Sequence, residues 1–149
     1  MEPKEFSLRV KKEIQNFTKV LEDGGVTSSI APIFTYWASK FLSPRLVEVF
    51  GQANIPTIFS REIMESYDRV RNTRSLTEFP FRVISLGSGD CLTEIEVVKE
   101  LVASGCSIEF VCTDLNPTVS EFASACAVRE GVAQHMKFNV IDLNQRFPE

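Results

Sequence analysis

Apolar residues recur at every third or fourth position near the start of the chain and form short continuous runs in its second half. The first pattern predicts an amphipathic helix, because residues three and four apart share one helix face. Its apolar stripe consists of Phe6, Val10, Ile14, Phe17 and Leu21. The run FRVISL at 81–86 is typical of a buried parallel strand. The polar, proline-bounded stretch NTRSLTEFP separates the two patterns, so we expect a helical region at 1–78 and an α/β region at 79–149.

Three further helices are predicted in the helical region, at 29–42, 43–51 and 57–72. Ser43 and Pro44 are typical of an N-cap followed by proline at the first helical position, so we expect a new helix to begin there. Tyr36, Trp37 and Phe41 form an aromatic stripe on the preceding helix. We expect these rings to pack in the core, with a substrate pocket as the alternative, because aromatic stripes usually pack.

The second half of the chain alternates strand and helix. The predicted strands are 81–86, 108–113 and 136–141, with helices at 93–103 and from Asn116-Pro117 to Gly131 between them. This order implies parallel strands joined by right-handed crossovers. The predicted fold class is therefore α/β, a helical N-terminal region followed by the first half (β-α-β-α-β) of a Rossmann-like doubly wound parallel sheet.

Three candidate motifs follow the three predicted strands. LGSGD follows the first strand, Asp114 ends the second and Asp142 ends the third. Ligands of parallel sheets bind outside the carboxyl ends of the strands, so the motifs are expected to share one site. Gly87 and Gly89 would let the backbone turn sharply and approach a ligand closely. Asp114 follows Gly89 at about the spacing that separates a glycine turn from a ribose-binding acid.

The residues after the glycine turn distinguish two cofactor classes. A dinucleotide-binding turn has a third glycine or an alanine where this chain has Leu92, and it places a pyrophosphate on the helix N-terminus. Here that helix start carries Asp90, Glu94 and Glu96, which would repel a pyrophosphate. The acids of EIEVVKE at 94–100 are otherwise expected on a solvated helix face. S-adenosylmethionine has no phosphate and carries two positive groups, so the acids favour it.

Composition narrows the class of protein. The chain has 149 residues, of which 44% are hydrophobic, and a net charge of −4, which disfavours non-specific nucleic-acid binding. No apolar stretch is long enough for a membrane span, and the N-terminus lacks the apolar core of a signal peptide. Four cysteines without a CxxC pair and a single histidine, His135, predict reduced buried thiols and no metal site. We therefore expect a cytoplasmic protein with no membrane or nucleic-acid partner.

The motifs VISLGSGDC, FVCTDLNP and NVIDLN together resemble those of class I S-adenosylmethionine-dependent methyltransferases, over about residues 82–144. The resemblance implies S-adenosylmethionine as cofactor and assigns roles to individual residues. It also implies that the helices of the N-terminal region, 1–78, cover the cofactor or form part of the substrate site. Gly87, Ser88 and Gly89 would line the methionine part, and Asp114 would bind the ribose hydroxyls. Leu115 would pack on the adenine, Asp142 would accept from the adenine amino group, and the Leu143 backbone would lie nearby.

The sequence departs from the family pattern in three places. Ser85 stands where an acid is common, and Cys91 replaces the third glycine, which leaves Asp90 as a candidate partner for the cofactor ammonium. The family sheet has seven strands, whereas this sequence ends just after the third. We therefore expect a fragment or one piece of a larger assembly, completed by the C-terminal part of the same domain or by a homo-oligomer. An unpaired apolar edge on FRVISL would otherwise be exposed.

The resemblance implies a methyltransferase in which a nucleophilic atom of the acceptor attacks the cofactor methyl carbon. Much of catalysis can then be positioning and desolvation. No catalytic base is identifiable in the sequence, and the acidic chain favours a small-molecule acceptor. Two alternatives stay open: a non-catalytic cofactor-binding or interaction module, and an NAD-dependent oxidoreductase.

Overall fold

A computed structural model describes residues 3–22, 32–73 and 80–143, with side chains for 7–20, 32–72 and 80–143 of these. The helical region comprises α1 (Pro3–Glu22), α2 (Pro32–Trp37), a π-helical turn (Ala38–Leu42), α3 (Ser43–Phe50) and α4 (Ile55–Thr73). Helix α1 confirms the apolar stripe as helical, although the side chains of Phe6 and Leu21 lie outside the described part. The expected boundary at 78–79 and the expected helix start at 29 also fall outside the described residues. No helix within them is long and apolar enough to cross a membrane.

The expected break at Ser43 does not occur. Ser43 has helical torsion angles, φ −59° and ψ −44°, and its N–H donates to the carbonyl of Ala38. The prediction of an N-cap is therefore wrong, and 32–50 form one continuous helix. Pro44 lacks an N–H and its ring would crowd the carbonyl four residues earlier in a regular α-helix. The wider π-helical turn just before Pro44 accommodates that ring without breaking the helix. The helix ends as expected at Gly51, which has a left-handed φ of 77°.

The aromatic stripe on this helix is not in the core. Tyr36, Trp37 and Phe41 are each more than half exposed, so the prediction that they pack inside is wrong. Helix α4 makes the main contact between the helical region and the sheet domain, and it buries Ile58 and Tyr67 there. The apolar periodicity of 33–41 correctly predicted a helix. No surface formed by the described residues covers the apolar side chains of that helix.

The α/β region has the predicted order. Its elements are β1 (Phe81–Leu86), α5 (Leu92–Ala103), β2 (Ile108–Asp114), α6 (Pro117–Arg129), a 3-10 turn (Ala133–His135) and β3 (Met136–Val140). All three strands are parallel in the order β1-β2-β3, with Val83 beside Phe110 and Phe110 beside Met136. A parallel sheet with a helix between each pair of strands is the first half of a Rossmann-like fold, which confirms the predicted fold class.

The core lies between the sheet and helices α5 and α6. Its most buried residues are Cys91, Ile95, Val97, Val98, Leu101, Cys112, Ala123, Cys126 and Ala127. Each fully buried aliphatic side chain contributes roughly 1.5–3 kcal/mol relative to an exposed one. Strand β2 is buried along most of its length because it is the central strand, whereas α5 supplies the largest aliphatic side chains. This core fixes the carboxyl ends of β1 and β2 beside each other.

Helix α4 is attached to α5 through a carboxylate. Glu100 of α5 accepts a hydrogen bond from Thr57 Oγ1 at 2.8 Å and a second, short one from the fully buried Ser60 Oγ. The sequence interpretation of Glu100 as part of a solvated face is therefore wrong. The Ser60 hydroxyl also lies 3.1 Å from the Thr57 carbonyl of its own helix, and Glu100 adds a charged acceptor from 40 residues away along the chain.

Strand β1 is an edge strand in the described part of the chain. It pairs with β2, and Ile84 and Leu86 on one face are 58% and 59% exposed. On the same face Glu109 accepts hydrogen bonds from Arg82 and Lys137 on the neighbouring strands. The open face is thus charged at one end and apolar at the end nearest the candidate site.

Candidate functional site

The glycine turn crosses the end of the neighbouring strand. Gly87 and Gly89 adopt left-handed backbone angles, φ 67° and 56°, which explains the need for glycine at both positions. Between them the Ser88 N–H donates to the carbonyl of Thr113 at 2.9 Å, and its hydroxyl donates to the same oxygen at 3.2 Å. The turn is therefore anchored to β2, one residue before Asp114.

Asp114 joins the glycine turn to the start of α6. Its Oδ2 accepts from the Gly89 N–H at 3.0 Å, and its Oδ1 accepts from the Asn116 N–H at 2.9 Å. Asn116 in turn caps α6, since its side-chain oxygen accepts from the Thr118 N–H at 3.0 Å. Two backbone donors thus hold the carboxylate at the carboxyl edge of the sheet.

A carboxylate also lies at the N-terminus of α5. Asp90 Oδ1 accepts from the Leu92 N–H at 3.3 Å. The next residue, Cys91, has a φ of 56° although it is not glycine, and it is 1% exposed. It keeps the left-handed conformation that a glycine would adopt there, at a cost of roughly 1 kcal/mol. A thiol at this position contributes to the core, where glycine would contribute nothing.

Ser85 stands where an acid is common in the resembling family, and Glu94 of α5 brings a carboxylate to that place. Its hydroxyl donates to Glu94 Oε1 at 2.7 Å, so a carboxylate reaches the end of β1 from α5. Glu94 was expected on a solvated face, and this interpretation is wrong. Both residues line a cavity of about 240 Å³ between β1, α4 and α5, which Phe59, Ile63, Val83, Ile84, Thr93, Val97 and Phe110 complete. This cavity shares no lining residue with the cavities beside Asp114.

Helix α1 covers the Asp114 end of the site. A cavity of about 80 Å³ is lined by Phe17, Gly89, Asp90, Asp114, Asn116 and Val119. A second of about 110 Å³ is lined by Val10, Glu13, Ile14, Phe17, Asp114, Leu115 and Asn116. A third of about 260 Å³ runs along α1 and is lined by Glu13, Asn16, Phe17 and Val20. Phe17 lies against all three, and the Asn116 amide donates to the carbonyl of Ile14 at 3.5 Å.

Sequence reasoning missed Phe17 and Asn116 as site residues. Both residues had a sequence feature that could have identified them. Phe17 belongs to the apolar stripe of α1, and Asn116 lies two residues after Asp114. The stripe shows that α1 has a face to bury but not what it is buried against. The position of Phe17, 97 residues before Asp114, depends on tertiary packing.

The structure brings some of the proposed cofactor residues together. Gly89, Asp90, Asp114 and Leu115 line the two cavities nearest Asp114. Gly87 and Ser88 form the adjoining turn. Asp142 and Leu143 follow β3 at the same sheet edge, where the neighbouring Ile141 N–H donates to the Asp114 carbonyl at 2.9 Å, but they line neither cavity. Their assignment to the adenine therefore stays a prediction.

Titratable groups near the site provide no clear nucleophile. Contact with the Cys91 side chain, together with burial, raises the pKa of the Cys112 thiol far above its ordinary value. That thiol is protonated and unreactive at neutral pH. Among the described residues, no group of three or more His, Cys, Asp or Glu side chains is placed to hold a metal ion.

Comparison with known proteins gave no family match and two local structural similarities. No family model and no curated protein matches the sequence. An S-adenosylmethionine-dependent methyltransferase from Thiobacillus denitrificans, solved with S-adenosyl-L-homocysteine, is 28% identical over 40% of this chain and 22% of its own, with a TM-score of 0.34. The [4+2]-cyclase SpnF is 19% identical over 52% of this chain and 26% of its own, with a TM-score of 0.36. Both similarities span only about a quarter of the length of the neighbouring chain.

Proposed function

We propose that this chain binds S-adenosylmethionine at the carboxyl ends of β1 and β2 and takes part in methyl transfer to a small-molecule acceptor. The observation that carries the proposal is the position of the Asp114 carboxylate. It lies 3.0 Å from the Gly89 N–H, so the acid and the glycine turn form one site. A carboxylate there can accept hydrogen bonds from both hydroxyls of a ribose.

The charge around the turn favours a cofactor without phosphate. A dinucleotide places its pyrophosphate on the first N–H groups of the helix after the glycine turn. In this chain the Asp90 carboxylate already accepts from the Leu92 N–H at that place. Glu94 adds a second acid to the first turn of the helix. A doubly charged pyrophosphate would have to displace one carboxylate and approach another, whereas a sulfonium and an ammonium group would be attracted.

The backbone of the turn has room for a ligand, but the cavity beside Asp114 is small. A Cβ added at Gly87 or Gly89 would meet no atom within 4 Å, so the space next to both glycines is open. The cavity of about 80 Å³ is below the 300–1,000 Å³ of typical ligand sites. Because Phe17 lies against three neighbouring cavities, a rotation of its side chain or a shift of α1 would join them.

The residues of the chain would act by binding and positioning. S-adenosylmethionine supplies an electrophilic methyl group on a sulfonium, which needs little further activation. Asp114 would orient the ribose, Leu115 would pack against the base, and Phe17 would keep water from the buried face. The resemblance assigns the adenine amino group to Asp142 and the Leu143 backbone. A methyl transfer held in line by such contacts gains mainly from orientation.

Isothermal titration of the chain with S-adenosyl-L-homocysteine, S-adenosylmethionine and NADH tests the proposal. We expect Kd values in the micromolar range for the first two, about −8 kcal/mol, and no heat with NADH. Binding of NADH alone would establish the oxidoreductase alternative instead. A folded chain that binds none of the three contradicts the proposal. Binding without methyl transfer to any acceptor would favour a non-catalytic cofactor-binding module.

A further inference from the structure

The continuous helix 32–50 carries an apolar stripe that the described part of the chain leaves uncovered. Its members are Ile33, Phe34, Trp37 and Phe41, which are 67%, 63%, 51% and 55% exposed. Their spacing of one, four and eight residues from Ile33 places them along one side of the helix. Polar residues such as Thr35 lie on the opposite side. We refer to these four residues as the exposed stripe.

The exposed area of the stripe is large for a monomer. An aromatic side chain presents roughly 150–250 Å², so four large side chains that are more than half exposed offer on the order of 500 Å². The largest apolar patch of a typical monomer is about 300–600 Å² and is often an interaction site. Two such surfaces in full contact would bury at most about 1,000 Å² in total, which lies at the lower limit for a specific interface.

We propose that the exposed stripe is a dimer interface, in which a second copy of this chain packs its own stripe against it across a two-fold axis. A stripe on a straight helix can meet itself when two helices pack antiparallel, and such isologous contacts are the commonest way in which identical chains associate. The buried apolar area is sufficient for an interface only when the partner also presents an apolar surface. A second copy of the chain presents the same apolar stripe.

The charges near the stripe favour a protein, and not a lipid surface, as its binding partner. Helices that lie on membranes have a polar face rich in Lys and Arg. Here Arg45 is paired with Glu48, and Lys40 donates to Tyr36 Oη at 2.9 Å with its ammonium 5.3 Å from the ring of Tyr36. The whole chain carries a charge of −4, which would repel it from anionic lipid.

The π-helical turn shapes this surface. It lies directly after Trp37 and contains Phe41, and the two rings are 6.5 Å apart. Such turns are rare inside helices and are frequent at functional sites. The turn and Pro44 together fix where Trp37 and Phe41 lie relative to each other, which would define the register of a helix pair.

The single tryptophan of the chain, Trp37, makes the proposal directly testable. Light-scattering mass and tryptophan emission should be measured on the same samples from about 100 μM down to about 0.1 μM. We expect twice the mass of one chain at high concentration and a single-chain mass on dilution, with emission moving to longer wavelength as Trp37 becomes solvated. Phe41→Glu should give the single-chain mass and the solvated emission at every concentration. Thr35→Glu places the same charge on the opposite side and should leave the dimer intact.

Three results would overturn the proposal. The first is a single-chain mass with constant emission at every concentration, which needs no variant and is independent of how a variant folds. The second is a dimer that persists in Phe41→Glu but dissociates in Ile84→Lys, which would place the interface at the edge of β1. The third is a monomer whose Trp37 emission shifts only with phosphatidylcholine–phosphatidylserine vesicles, which would make the stripe a lipid-binding surface. None of these outcomes depends on cofactor binding.

Discussion

Replacing Asp114 by asparagine should weaken the binding of S-adenosyl-L-homocysteine far more than it weakens the fold. In the proposed complex both ribose hydroxyls donate to the carboxylate. A hydrogen bond to a charged acceptor contributes about 1.5–3 kcal/mol, whereas one to a neutral amide oxygen contributes about 0.5–1.5 kcal/mol. The Asp114→Asn side chain offers one such oxygen and turns an NH₂ group toward the second hydroxyl.

The expected loss is therefore about 2–3 kcal/mol of binding free energy. At 1.4 kcal/mol per factor of ten, this corresponds to a Kd about 30- to 150-fold higher. The same change has a structural cost, because Asp114 also accepts from the Gly89 and Asn116 N–H groups at 3.0 and 2.9 Å. One of these donors would lose its acceptor, which should lower the free energy of unfolding by about 1–2 kcal/mol.

Two measurements separate these effects. Isothermal titration gives the Kd, and urea unfolding of the same preparation gives the stability, so titration is performed only where the variant is fully folded. Glu121→Gln is the matched control, since it removes one negative charge from an exposed position on α6. It should change neither quantity. An Asp114→Asn variant that is folded and binds within about twofold of the original chain would refute the ribose-binding role of Asp114.

Three further results are expected. Glu100→Ala removes the hydrogen bonds that Thr57 Oγ1 and the buried Ser60 Oγ donate to one carboxylate, so it should lower the free energy of unfolding by about 1–3 kcal/mol in urea. Glu96→Ala, at an exposed position, should change it by less than about 0.5 kcal/mol. The hydrogen bond from Lys137, followed by that from Arg82, lowers the pKa of Glu109 below its ordinary value of 4.5. Its stabilising effect is present above that value and is lost as the pH falls through the folded-state pKa. Between about pH 6 and about pH 3, the melting temperature of the original chain should thus fall further than that of Glu109→Gln, and an equal fall would count against this contact. Finally, the three buried cysteines of the core should react with a thiol reagent at about pH 8 only when the chain unfolds, and rapid native labelling of more than one thiol would contradict the packing.

Much of the α/β region was determined by the sequence itself. The strand predicted at 108–113 is β2, Ile108–Asp114, and the helix predicted at 93–103 is α5, Leu92–Ala103. Strands of a parallel sheet are typically short apolar runs because both faces are usually buried, and the glycine turn marks where the first one ends. The run 81–86 is correctly predicted as a strand, but its burial is not, since Ile84 and Leu86 are more than half exposed. The order of elements then places Asp114 beside the glycine turn, since consecutive parallel strands end at the same edge.

The helical region shows where local pattern is insufficient. Periodicity identified the helix that carries Trp37 and Phe41, but it was equally compatible with burial and with exposure. Ser43 and Pro44 matched the pattern of a helix start, yet they continue the helix directly after the π-helical turn Ala38–Leu42. Proline forbids a regular hydrogen bond at its own position, and whether the helix breaks or widens depends on the surrounding packing.

The partners of polar residues were decided by the tertiary structure alone. Glu94 and Glu100 had the sequence pattern of a solvated helix face, and they bind Ser85 and the pair Thr57 and Ser60 instead. Phe17 reaches the Asp114 cavity from the other end of the chain. Sequence pattern reports the preferences of neighbouring residues, and it therefore determines which elements form and which acids end the strands. Contacts between residues tens of positions apart depend on how those elements pack, and only the folded chain establishes them.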